Sequence, residues 1–132
     1  MGINTKEEIM EIYPSINVYG KEIETCCDNP ITGFFRNGLC DTCKEDLGLH
    51  TVCILATEDF LNFSKMVGND LSTPNPEYDF PGVKPGDRWC LCALRWKEAY
   101  DQDKAPPVFL ESTHKKTLQL IDFYLLQKFA VN

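Results

Sequence analysis

Thr51-Val52-Cys53-Ile54-Leu55-Ala56-Thr57-Glu58-Asp59-Phe60-Leu61-Asn62-Phe63-Ser64-Lys65-Met66-Val67-Gly68 decides the architecture, because its hydrophobic period changes midway. Thr51 to Ala56 is continuously apolar or β-branched, the pattern of a strand covered on both faces. From Thr57 the period turns helical. Phe60, Phe63, Met66 and Val67 recur at spacings of three or four, Thr57 is placed to cap the first turn, and Glu58 and Asp59 favour its positive end. Gly68 suits the position just past the last turn.

Towards the C-terminus, Trp89 to Leu94 reads as a second buried strand running into a helix from about Leu94 to Tyr100, closed by Pro106 and Pro107. Between the two units, Asn69 to Asp87 contains Pro74, Pro76, Pro81 and Pro85, and no helix or strand is expected there. Leu71, Tyr78, Phe80 and Val83 would pin this loop to the surface as the wall of a pocket. Val108 to Leu110 is a third strand candidate, Thr113 or His114 starts a short helix, and Asp122 caps a last one through Phe129.

Towards the N-terminus, Ile16 to Tyr19 is a short β-prone run ended by Gly20. The stretch on to Leu49 is rich in turn signals and reads as irregular, with Phe34 and Phe35 as one short strand or a buried anchor. Thr5-Lys6-Glu7-Glu8 has capping-box spacing for a helix that Pro14 would end. These elements predict an α+β fold, a two-layer α-β domain with a small sheet, helices packed on it and a long proline-rich loop. Residues 1–15 are expected to form a helical extension and residues 16–132 a single domain.

The 132 residues carry 20 acidic and 13 basic side chains, a net charge of −7, which argues against nucleic acid or an anionic membrane as partner. The imbalance is uneven, because the seven basic side chains from Arg88 onward outnumber the acidic ones there. Met1 to Pro14 lacks the continuous apolar stretch of a secretory signal, so a cytoplasmic location is expected. In a reducing compartment the seven cysteines would be free thiols, metal ligands or a redox site rather than a disulfide frame. No Gly-rich phosphate loop, G-x-S-x-G elbow, H-E-x-x-H helix or EF-hand pattern occurs, and no cofactor is expected.

Cys90-Leu91-Cys92 places two sulfurs on one face of a strand. With Cys40-Asp41-Thr42-Cys43, Cys26, Cys27, Cys53, His50 and His114 they make a pool of soft ligands from which zinc or iron could draw four. The competing readings are cysteine as a small buried apolar residue, and a nucleophilic thiol among Cys40, Cys53 and Cys90 activated by His50, His114, Arg36 or Arg88. Asp87-Arg88 stands where the long loop enters the Cys90 strand, and Asn69-Asp70-Leu71-Ser72-Thr73-Pro74 suits turn chemistry or a polar pocket wall. His114 lies near a helix start, where free amides could help hold an anion.

Asp28-Asn29-Pro30-Ile31-Thr32-Gly33-Phe34, Asp46-Leu47-Gly48-Leu49-His50-Thr51-Val52-Cys53, Gly68-Asn69-Asp70-Leu71-Ser72-Thr73-Pro74 and Pro85-Gly86-Asp87-Arg88-Trp89-Cys90-Leu91-Cys92, in this order, resemble the DUF2237 family. The resemblance continues through Ala105-Pro106-Pro107-Val108 and Thr113-His114, spanning Asn17 to Phe129. It implies a compact two-layer α-β domain and brings no catalytic assignment. It also implies that Cys43 and Cys27 are incidental, leaving Cys26, Cys40, Cys53, Cys90 and Cys92.

The function expected from these residues is binding of a small polar ligand or partner in a pocket gathering His50, Asn69, Asp70, Asp87, Arg88 and His114 beside Cys53, Cys90 and Cys92. Alternatives are a cysteine-dependent enzyme or thiol redox protein, and a zinc- or iron-binding domain.

Overall fold

In the computed structural model, which describes residues 11–131, the apolar run around Cys53 is strand β1 (His50–Leu55), and Cys90 lies on strand β2 (Arg88–Cys92). The two pair antiparallel, with Cys53 opposite Cys90, Ile54 opposite Trp89 and Val52 opposite Leu91. Alternation along each strand then gives the ladder two different faces. Val52, Ile54, Trp89 and Leu91 enter an apolar core with Phe60, Trp96, Val108 and Leu126. Cys53 and Cys90 face the irregular N-terminal half, packing with Ile23, Cys26 and Cys40. Among the described residues the chain is thus an α+β domain built on a two-stranded antiparallel sheet and three α-helices.

Helix α1 (Glu58–Met66) follows the capping chemistry of its sequence. Thr57 Oγ1 accepts from the Phe60 amide at 3.1 Å, and Gly68 takes a φ of +95° past the last turn. Helix α2 (Ala93–Asp101) buries Trp96 completely, and its indole donates to the Pro106 carbonyl at 3.1 Å. Helix α3 (Phe123–Lys128) is capped by Asp122, which accepts from the Tyr124 amide at 2.9 Å.

Several expected elements are shorter or different. Val108 makes single bridges to Ile54 and Ala130 instead of a third strand, because Leu110 already begins a 3-10 turn (Leu110–Ser112). Ile16 to Tyr19 is likewise not a strand: Ile16 bridges Glu22 and Asn17 bridges His114. The helix expected after Thr113 is a 3-10 helix (Lys115–Gln119) capped by His114. The proline-rich loop is ordered, containing a 3-10 turn (Pro76–Tyr78) inside an Asn75–Phe80 bridge, with Leu71 and Phe80 packed on the core. Most of the expected N-terminal helix lies outside the described residues; of its end, Ile12 bridges Cys43.

The largest correction concerns sulfur. Cys26 is bonded to Cys53 and Cys40 to Cys90, leaving Cys27, Cys43 and Cys92 free. The expectation of free thiols rested on compartment; the fold instead brings two cysteines of the irregular segment against two neighbouring positions on paired strands. In a chain-entropy account each link, closing 27 or 50 residues, removes about 3.5–4 kcal/mol of unfolded-state freedom.

Candidate functional site

A cleft of about 380 Å³ opens beside the last residues of β2, between the irregular segment and the start of the proline-rich loop. Phe34 and Arg36 come from the irregular segment, Asn69 and Leu71 from the loop, Trp89 to Cys92 from β2 and Arg95 from the first turn of α2. His50 completes it, and a bulge in β1 puts it there. The ladder slips between His50 and Val52, so His50 rather than Thr51 stands opposite Cys92. Leu49 immediately before it holds a φ of +51°, a left-handed conformation that costs a residue with a Cβ about 1 kcal/mol.

Behind the imidazole lies a carboxylate. The Asp46 side chain is fully enclosed, and Oδ1 accepts from His50 Nδ1 at 2.7 Å. Oδ2 accepts from the His50 amide and from Thr42 Oγ1, each at 2.9 Å. Burial alone would raise the Asp46 pKa, but hydrogen bonds from the His50 ring and amide and from Thr42 outweigh it, so the carboxyl titrates below its ordinary range. An ionised Asp46 needs a donor at His50 Nδ1, which leaves Nε2 of the neutral ring as a free acceptor.

Cys92 is the thiol beside this pair. Its Sγ donates to the Gly48 carbonyl at 2.8 Å. A Cβ added to Gly48 would lie 3.2 Å from both Cys92 Sγ and His50 Cε1, so sulfur and imidazole flank one small gap that only glycine leaves open. Cys92 is also the N-cap of α2, with no side-chain cap on that helix end and no acidic residue in its first turn. Arg95 pairs with Glu98 at 3.0 Å, and Arg36 lies 5.5 Å from the Trp89 ring centre.

The structure therefore brings four of the expected residues, His50, Asn69, Cys90 and Cys92, to one cleft and leaves five elsewhere. Cys53 is sealed in its disulfide. Asp70 serves its own turn, accepting from Thr73 Oγ1 and from the Ser72 and Thr73 amides, and the Thr73 hydroxyl holds its carboxyl below the usual value. Asp87 closes a turn through the Lys84 amide at 2.8 Å. Arg88 lies 3.7 Å over the Phe109 ring and lines a separate concavity with Phe109 and Ser112. His114 accepts from the Lys116 amide at Nδ1 and donates from Nε2 to the Pro14 carbonyl at 2.9 Å, beside another cavity lined by Tyr13, Pro14 and Ile16. Burial lowers its pKa, which suits a neutral structural ring.

The nucleophile expected among Cys40, Cys53 and Cys90 is corrected, since all three sulfurs are bonded and buried. Asp46 and Arg95 were missed. The Asp46-x-x-x-His50 spacing was in the sequence, but in a turn only the fold shows that the two meet. Among the described residues, the grouping with metal-ligand spacing is Cys26, Cys40 and Cys90. No helix among them is long and apolar enough to cross a membrane.

Comparison with curated proteins found no match. The family described as "Uncharacterized protein conserved in bacteria (DUF2237)" matches residues 16–130, a span holding the ladder, the cysteine pairs and every residue that lines the cleft. The chain belongs to the DUF2237 family.

Proposed function

We propose that the cleft binds a small anionic ligand, a carboxylate or phosphate, between Arg36 and Arg95 and presents it to His50 and Cys92. One observation carries this reading: in a chain of net charge −7, the lining includes two guanidiniums and an imidazole, and among the described residues no carboxylate lines it. The start of α2 has no side-chain cap, and beyond the Ala93 amide, which the Leu49 carbonyl takes, it adds backbone donors and a partial positive charge on the same side. Asp46, enclosed behind the ring, orients the imidazole without entering the cleft. A cytoplasmic setting belongs to this reading: it keeps Cys27, Cys43 and Cys92 as thiols, and the two disulfides would form there only under oxidation.

The test is an NMR titration of the full chain with inorganic phosphate and with short carboxylates. Saturable shifts of the His50, Cys92 and Arg95 amides are expected, and both Arg36→Ala and Arg95→Ala should weaken them about tenfold or more. Absence of saturable shifts with either anion class at millimolar concentration sinks the reading.

A second reading, cysteine-dependent chemistry on the bound ligand, is favoured by the Asp46, His50 and Cys92 arrangement: a carboxylate orients an imidazole through Nδ1, and the ring and the thiol line the same cleft. Peptide mapping after brief alkylation with iodoacetamide should label Cys92 ahead of Cys27 and Cys43, and His50→Asn should slow Cys92 about tenfold. Equal Cys92 rates in the two proteins remove the imidazole from the chemistry.

A further inference from the structure

The two disulfides lie side by side because Cys53 and Cys90 are opposite partners in the β1–β2 ladder. The sulfurs of Cys26, Cys40 and Cys90 fall within 4.8 Å of one another, and Cys53 is bonded to the first of them. Four sulfurs held tetrahedrally around zinc by bonds of about 2.3 Å stand about 3.8 Å apart, so three of the sulfurs already lie near that spacing, and breaking the Cys26–Cys53 bond frees Cys53 to move in as the fourth. We infer that in the reduced protein Cys26, Cys40, Cys53 and Cys90 hold a zinc ion, and that the two disulfides are the metal-free, oxidised form of the same site.

The surroundings match a closed, four-ligand centre. Cys40 and Cys53 are inaccessible, Cys26 and Cys90 nearly so, and Ile23, Leu39 and Phe109 wall the cluster. A zinc tetrathiolate is doubly negative and needs a nearby cation. Arg88 precedes Cys90 by two residues on β2 and so shares its face. It packs over Phe109, and its buried Nε has no hydrogen-bond partner among the described residues. Cys43 of the C-x-x-C is buried away from the group, and burial raises its pKa, as expected of an inert thiol.

The interconversion balances. Each disulfide takes two electrons and two protons from a dithiol, which becomes a disulfide itself, or from a phosphine and water, which leave as phosphine oxide. Zinc then displaces four protons from the four thiols.

The full chain, reduced with a phosphine and desalted under anaerobic conditions, is titrated with cobalt(II) and then zinc(II). One cobalt per chain should bind, with the intense visible bands of a tetrahedral thiolate complex, and zinc should displace it. The oxidised chain should bind none. Cys26→Ser and Cys40→Ser should each weaken cobalt binding at least about 100-fold, whereas Cys27→Ser and Cys43→Ser should leave it unchanged. Circular dichroism follows the fold in parallel. If reduction unfolds the chain, zinc should restore the native spectrum. Failure of zinc to do so, a folded reduced chain that takes up no cobalt, or wild-type binding by Cys40→Ser would each overturn the inference.

Discussion

The two faces of the β1–β2 ladder are stabilised by different physics. One face sends Val52, Ile54, Trp89 and Leu91 into a core closed by Phe60, Trp96 and Leu126, where helices with ordinary caps supply area. The other carries Cys53 and Cys90 into a segment with little regular structure, which is tied down by two sulfur links and by side-chain bonds to backbone, such as Thr32 Oγ1 accepting from the Cys90 amide at 2.8 Å. Area gives cooperative stability; point links give placement. The cleft lies against the second kind of structure, where Phe34, Arg36 and Asp46 sit on irregular chain and are placed by individual polar and aromatic contacts.

The largest effect should come from the first face. Trp96→Ala removes a side chain that is fully buried and packs its ring against Tyr100 and Phe129 at centroid distances of 5.8 and 5.3 Å. It should cost about 3–5 kcal/mol in urea unfolding. The paired change Cys40→Ser and Cys90→Ser, measured in oxidised, metal-free protein, should cost about 2–4 kcal/mol. Its faster hydrogen exchange should be confined to the irregular segment and spare α2. Equal acceleration on both faces would break the contrast.

Asp46→Asn sharpens it further. The Asp46 carboxyl titrates below its reference value of 3.8 in the folded chain, so its stabilisation is present above that value and is lost as pH falls through the folded pKa. Removing a carboxylate that accepts three hydrogen bonds should cost about 2 kcal/mol at neutral pH. The variant's stability should then fall less between neutral pH and pH 3 than the parent's; an unchanged acid limb would contradict the Asp46–His50 geometry. The smallest effect belongs to Gly48→Ala, about 1 kcal/mol from the 3.2 Å approaches to Cys92 and His50. Cys92 alkylation should change even so, since the added methyl group parts sulfur from ring.

The same contrast decides which features are legible in the sequence. Strand β1, helix α1 and the Asp122 cap were legible because hydrophobic period and cap chemistry are local. The proline-rich loop was legible as a wall, and Leu71 does line the cleft. On the irregular face the signals are long-range. Nothing local distinguishes a cysteine that meets Cys53 from one that meets Cys90, and the reducing-compartment argument pointed away from pairing altogether. Asp70 and Asp87 look like pocket residues in a sequence because the short carboxylates that close turns are also those that bind ligands. The bulge that re-aims His50 leaves no mark in Leu49-His50-Thr51.

Cys90 belongs to both regions, its sulfur tied to Cys40 while the residue lines the cleft. Whatever happens to that bond is therefore felt at the wall of the cleft. Samples handled in air and samples kept under reductant would offer two different receptors to a compound library, and hits from each should be scored separately.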